Sequence, residues 1–138
     1  MLFKMFGSQM ISLLLLIPLT TWSASVPMVS ISSHVLDTTI GKPAEGVMIV
    51  SHLLEGKIWK EIGTTFTGKD GRVKSVSPQF LLRNGTYKLF FDVESYFNKT
   101  GVESFYPYVE VVFKVNEPVH YHIPLTVTPY SYSTYRGS

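Results

Sequence analysis

The stretch VSISSHV, residues 29–35, alternates strictly, with Val29, Ile31, Ser33 and Val35 on one side and Ser30, Ser32 and His34 on the other. A period of two sends successive side chains to opposite faces of a strand. The stretch therefore predicts a β-strand with one face in a core and one polar face that carries a histidine. The pattern returns three times further on. Tyr87, Leu89, Phe91 and Val93 oppose Thr86, Lys88 and Asp92; Val109, Val111, Phe113 and Val115 oppose Glu110 and Lys114; Tyr121, Ile123, Leu125 and Val127 oppose His120, His122 and Thr126.

Apolar-rich runs at 46–54 and 57–66 predict two more strands, and a short one follows Gly71. Between them stand Gly41-Lys42-Pro43, Glu55-Gly56-Lys57, Lys69-Asp70-Gly71 and Asn84-Gly85, where Gly or Asn supplies the backbone freedom of tight reversals. Glu94–Lys99 lacks alternation and ends near Gly101, which suits one short helix. Frequent turns between short strands indicate an all-β chain, an antiparallel β-sandwich with a single helix.

The chain opens with one basic residue, Lys4, then an uncharged run over Met10–Leu19 and small residues at Ser23 and Ser25. This is the layout of a cleaved signal peptide, residues 1–25, and the apolar run is too short for a spanning helix. A mature domain of residues 26–138 is expected, outside the cytoplasm and without a membrane anchor, with the periplasm as its compartment. The 138-residue chain has 12 basic and 10 acidic residues, a net charge of +2, and the leader removes only Lys4 from that balance. A near-neutral single domain argues against nucleic-acid binding or a polybasic membrane role. With no cysteine, the domain has neither a covalent staple nor thiolate chemistry.

His34, His52, His120 and His122 are the histidines of the chain, and their ordinary pKa makes them the first candidates for acid–base work near neutral pH. His34 shares a face with Ser30 and Ser32, which is also what the solvated face of an ordinary strand looks like. His120 and His122 are two apart and so share a face, a spacing compatible with two metal ligands but lacking a third. Arg72 leaves the turn at Lys69-Asp70-Gly71 as either a surface charge or an anion clamp. Spacing alone leaves these alternatives open.

Four segments change the reading: SSHVLDTTIGKPA at 32–44, KDGRV at 69–73, HYHIPL at 120–125 and YSYSTYRGS at 130–138. They resemble the transthyretin-like family of 5-hydroxyisourate hydrolases, collinearly from about residue 29 to 138, and Tyr-Arg-Gly-Ser at 135–138 is the most specific of the matches. The resemblance implies a transthyretin-like sandwich of two four-stranded sheets with one short helix. It also implies a homotetramer whose active sites lie in a channel between dimers, with a purine-derived substrate and no cofactor or metal.

Carried over by position, the family's catalytic residues fall on His34, Arg72, His122 and Ser138, with Tyr135 joining His34 and Arg72 in contact with substrate. His120 matches the first histidine of the family's His-x-His and is the lesser actor, and His52 matches nothing functional. Tyr108 departs from the family pattern at a packing position. The implied reaction is hydrolysis of 5-hydroxyisourate to 2-oxo-4-hydroxy-4-carboxy-5-ureidoimidazoline. His34 and His122 would activate water, Ser138 would orient it, and Arg72 would hold the developing anion. The competing expectations are a transthyretin-like protein that binds a small aromatic ligand without transforming it, and a structural sandwich that leaves the histidines without a task.

Overall fold

In the computed structural model, which describes residue 18 and residues 20–138, the alternating stretches are strands. They are β1 (Ser30–Asp37), β2 (Lys42–Pro43), β3 (Met48–Glu55), β4 (Ile58–Phe66), β5 (Arg72–Val73), β6 (Gly85–Phe91), β7 (Val109–Val115), β8 (His120–Thr128) and β9 (Ser131–Thr134). Helix α1 (Val93–Asn98) lies between β6 and β7. Most of the expected signal peptide, residues 1–17 and 19, falls outside the described residues.

One sheet has the order β4-β3-β6-β7 and is antiparallel throughout. The other has the order β2-β1-β8-β9, with β5 also paired to β1, so it holds five strands where four were expected. The extra member arises because β1 pairs with two short strands along its length, with β5 at Ser33 and His34 and with β2 at Leu36 and Asp37. Lys42-Pro43 was expected in a turn; it forms β2 instead, on an edge, where a proline lacking an N–H is tolerated. The sandwich is also not wholly antiparallel, since β1 and β8 run parallel, from Ser30 opposite His120 to Asp37 opposite Val127. Parallel neighbours need a long crossover, and here it is the whole of the other sheet.

The apolar face of each alternating strand points between the sheets. Ile31 and Val35 of β1 meet Ile49 and Leu53 of β3, Leu89 and Phe91 of β6, and Ile123 and Leu125 of β8 in one buried cluster. Each such side chain contributes about 1.5–3 kcal/mol by leaving water. Ser33 lies in the same buried row, and its hydroxyl is satisfied by donating to the Ile123 carbonyl at 2.8 Å. The outward face of β1 is thereby left to Ser30, Ser32 and His34.

Asp92 caps α1 by accepting from the Ser95 N–H at 3.1 Å, and Val93 and Phe97, four apart, bury one side of the helix. Val93 was expected to extend β6 and instead opens α1. Asn84-Gly85 was expected to reverse the chain, but Gly85 is the first residue of β6. Tyr96 donates to the buried Asp37 carboxylate at 3.0 Å and so ties the helix to the end of β1.

Candidate active site

Strand register brings the chemistry together. On one side of β1, His34 stands opposite Arg72 of β5; on the other, Ser30 and Ser32 stand opposite His120 and His122 of β8. Directly paired residues on neighbouring strands lie about 4.5–5.5 Å apart. Because Ser32, His34 and His122 all alternate with buried residues, the cluster occupies the outer face of the five-stranded sheet.

Arg72 is aimed by the turn before it. Gly71 has φ +71°, and a side chain there would run into the carbonyl of Val35, so only glycine lets β5 approach β1 this closely. The Gly71 carbonyl accepts from the Val35 N–H at 2.8 Å, and the Asp70 carboxylate accepts from the Arg72 N–H at 3.0 Å. The backbone of Arg72 is held while its guanidinium stays exposed.

The tail closes the other side. Strand β9 pairs with β8 from Thr128–Ser131 to Leu125–Thr134, and the Thr134 hydroxyl donates to the Pro124 carbonyl at 2.8 Å. Beyond it the Gly137 N–H donates to the His122 carbonyl at 2.8 Å. These contacts carry Tyr135, Gly137 and Ser138 to a cleft of about 530 Å³, also lined by Ser32, His34, Arg72, Lys74, His120 and His122. All five residues expected to form the site, His34, Arg72, His122, Ser138 and Tyr135, line this one cleft.

Its electrostatics are one-sided. Arg72 and Lys74 bring positive charge, no carboxylate side chain lines the cleft, and neither cation belongs to an ion pair among the described residues. His122 has its pKa lowered by burial first, then by Arg72, His120 and His34, so it is held neutral to lower pH than an ordinary histidine. The His34 Nε2 atom is buried and without a hydrogen-bond partner among the described residues. A row of hydrogen bonds crosses the β1–β8 pair: Ser30 Oγ to His120 Nδ1 at 2.6 Å, His120 Nε2 to Ser32 Oγ at 2.8 Å, and Ser32 Oγ to His122 Nδ1 at 2.8 Å. Such a set suits binding a flat anion and moving a proton beside it.

Two members went unread in the sequence. Lys74 has Arg72's strand parity, two residues on, which is the signal that would have found it. Ser32 was visible only as part of a polar strip, because its partners lie 88 and 90 positions away. Arg136 is turned away from this cluster: its guanidinium stacks over the Tyr121 ring, 5.0 Å from the centroid, which fits an anchor for the tail. His52 lies on β3 in the opposite sheet.

The chain matches the HIUase/Transthyretin family over residues 31–137. It is 53% identical over 115 residues, 83% of this chain and 85% of the relative, to a Caenorhabditis elegans protein named as a probable 5-hydroxyisourate hydrolase. A Mus musculus 5-hydroxyisourate hydrolase is 47% identical over 111 residues, 78% of this chain and 94% of the relative. Among solved structures, Klebsiella pneumoniae 5-hydroxyisourate hydrolase superposes with a TM-score of 0.72 at 33% identity, covering 80% of this chain and all of that one.

Proposed function

The chain belongs to the HIUase/transthyretin family, and on that premise we propose that it is an enzyme that hydrolyses 5-hydroxyisourate. The observation that carries this reading is the cleft in which His34, His122, Arg72, Lys74 and the tail residue Ser138 converge. A pocket that only stored a flat aromatic ligand would need apolar walls more than three imidazoles and two cations without an ion pair among the described residues. We read the product as 2-oxo-4-hydroxy-4-carboxy-5-ureidoimidazoline.

In this reading a water held by His34 and His122 attacks a ring carbonyl of the substrate. A neutral imidazole takes the first proton as the oxygen adds, and returns it to the ring nitrogen when the C–N bond breaks, help worth roughly 10²–10⁴ in rate. The lowered pKa of His122 favours the neutral form this needs. Arg72 holds the oxyanion and then the new carboxylate by charge-assisted hydrogen bonds, with Lys74 beside it. Ser138 orients the water, and Tyr135 covers the substrate.

We also read the protein as a homotetramer. The exposed Val112 on edge strand β7 and the exposed Tyr130, Tyr132 and Tyr135 along the tail offer apolar surface for partner subunits. Residues 20–28, which carry no regular structure and are exposed, fit a leader removed before Val26 and export to the periplasm. Light scattering of the purified protein tests the first point, and the mass and cell fraction of the processed chain test the second.

The deciding experiment follows the ultraviolet decay of 5-hydroxyisourate, generated from urate by urate oxidase, with and without the protein. Acceleration above spontaneous hydrolysis is expected and should vanish when residues 135–138 are deleted. No acceleration by the folded protein would overturn the reading in favour of a ligand-binding relative.

A further inference from the structure

Ser32 bonds to two histidines at once, His120 Nε2 and His122 Nδ1, each at 2.8 Å. A hydroxyl has one proton to donate. Ser32 can therefore donate to one ring at most and must accept from at least one, so the two imidazoles cannot both offer it a lone pair and their tautomers are linked. If His122 keeps a lone pair on Nε2 to act as a base, its proton sits on Nδ1 and is donated to Ser32. In the arrangement that makes the row continuous, Ser32 then donates to His120 Nε2, and His120 carries its own proton on Nδ1, donated to Ser30 at 2.6 Å.

We propose that this row is a proton wire and that His120 is its outlet to solvent. The inference rests on the hydrolase reading. Hydrolysis of a cyclic amide adds the elements of water: one hydrogen ends on the leaving nitrogen, and the other is released because the new acid ionises at neutral pH. That second proton has to leave the cleft. When Nε2 of His122 takes it, Nδ1 of His122 passes its proton to Ser32 as Ser32 passes its own to His120 Nε2. His120 becomes the imidazolium and His122 returns to neutrality with its proton on Nε2. His120 is exposed, whereas His122 and Ser32 are partly buried, so His120 is the member able to give the proton to water or buffer. Once product has left, water in the open cleft takes the Nε2 proton of His122 while a proton returns along the row to its Nδ1, and the starting tautomer is restored. Burial, then Arg72, His120 and His34, disfavour charge on His122, and of these burial, Arg72 and His34 favour moving the proton outward to the exposed His120.

The test compares the parent with Ser32→Ala, Ser32→Thr and His120→Asn in dilute and in concentrated imidazole buffer, at constant pH and ionic strength, with spontaneous decay subtracted. For the parent, kcat should not respond to buffer. Ser32→Ala and His120→Asn should lose at least about tenfold in kcat in dilute buffer, a modest share of general acid–base catalysis, with KM unchanged. Concentrated imidazole should restore most of that loss, and Ser32→Thr, which keeps the hydroxyl, should lose far less than Ser32→Ala in dilute buffer. Ser32→Ala or His120→Asn at the parental rate in dilute buffer, or a loss in either that imidazole does not repair, overturns the wire while leaving the hydrolase reading in place. A parent that fails to accelerate the decay at all removes the hydrolase reading and the wire with it.

Discussion

Gly137 and His122 are joined twice: the Gly137 N–H donates to the His122 carbonyl at 2.8 Å, and the imidazole lies against the glycine's bare Cα. A Cβ at position 137 would stand 2.5 Å from His122 Cδ2 and 3.1 Å from its Cβ and Cγ. Gly137→Ala should therefore turn the ring or lift the tail. Misplacing a catalytic group by an ångström costs about 10² in rate, so kcat should fall by about that factor with little change in melting temperature. Steady-state kinetics beside a thermal melt decide it, and an unimpaired variant would mean that the contact does not position the ring.

Replacement of the proposed water-activating groups should be severe. His34→Ala and His122→Ala are expected to lower kcat by about 10²–10⁴, and Arg72→Ala by about 10²–10³ through lost anion stabilisation. Each variant should elute at the parental volume, because these side chains lie outside the core. A variant that retains the parental rate would strike that residue from the mechanism.

The acid limb of the kcat profile should lie below the usual histidine value of about 6.5, because burial, then Arg72, His120 and His34, hold His122 neutral. Lys74 and Tyr135 also line the cleft. In Arg72→Gln the titration of the His122 ring protons, followed by NMR, should move upward; a downward move would show that the guanidinium is not a cause. The sign for stability follows from the same depression. The unfolded chain takes the proton first, so the His122 contribution is intact above the unfolded pKa and is lost as pH falls from there through the folded value.

Tyr96 has its pKa pushed up to about 12 by burial, by its hydrogen bond to Asp37 and by the Asp37 charge. Tyr96→Phe removes a 3.0 Å bond to a carboxylate, and hydrogen bonds to charged groups are worth about 1.5–3 kcal/mol. An unfolding free energy from urea titration lowered by that amount, with kcat unchanged, is expected. A fall in kcat instead would connect α1 to the cleft.

The strands were legible because burial on one face imposes alternation, as Ile31, Ser33 and Val35 show within β1. The helix was legible from the break in that alternation after Asp92. What local pattern does not contain is pairing. Lys42-Pro43 has turn composition and becomes a strand only because β1 offers an edge to it, and nothing in either segment announces that β1 and β8 run parallel. The site was legible in the same uneven way. Resemblance marked His34, Arg72, His122, Ser138 and Tyr135, and the structure gathers them around one cleft. It could not tell Arg136, stacked on Tyr121, from a ligand-binding arginine, nor show that Ser32 joins two histidines, since those relations exist only across strands.

The parallel pairing of β1 with β8 has a consequence for when the protein comes into being. Ser32 and His122 are 90 positions apart, and the tail that closes the cleft follows both. A ribosome therefore finishes nearly the whole chain before the two halves of the cleft can meet, and contacts of such long range also slow the search for the native state. A nascent chain has no assembled cleft to work with, so chemistry begins only once the chain has folded through its tail.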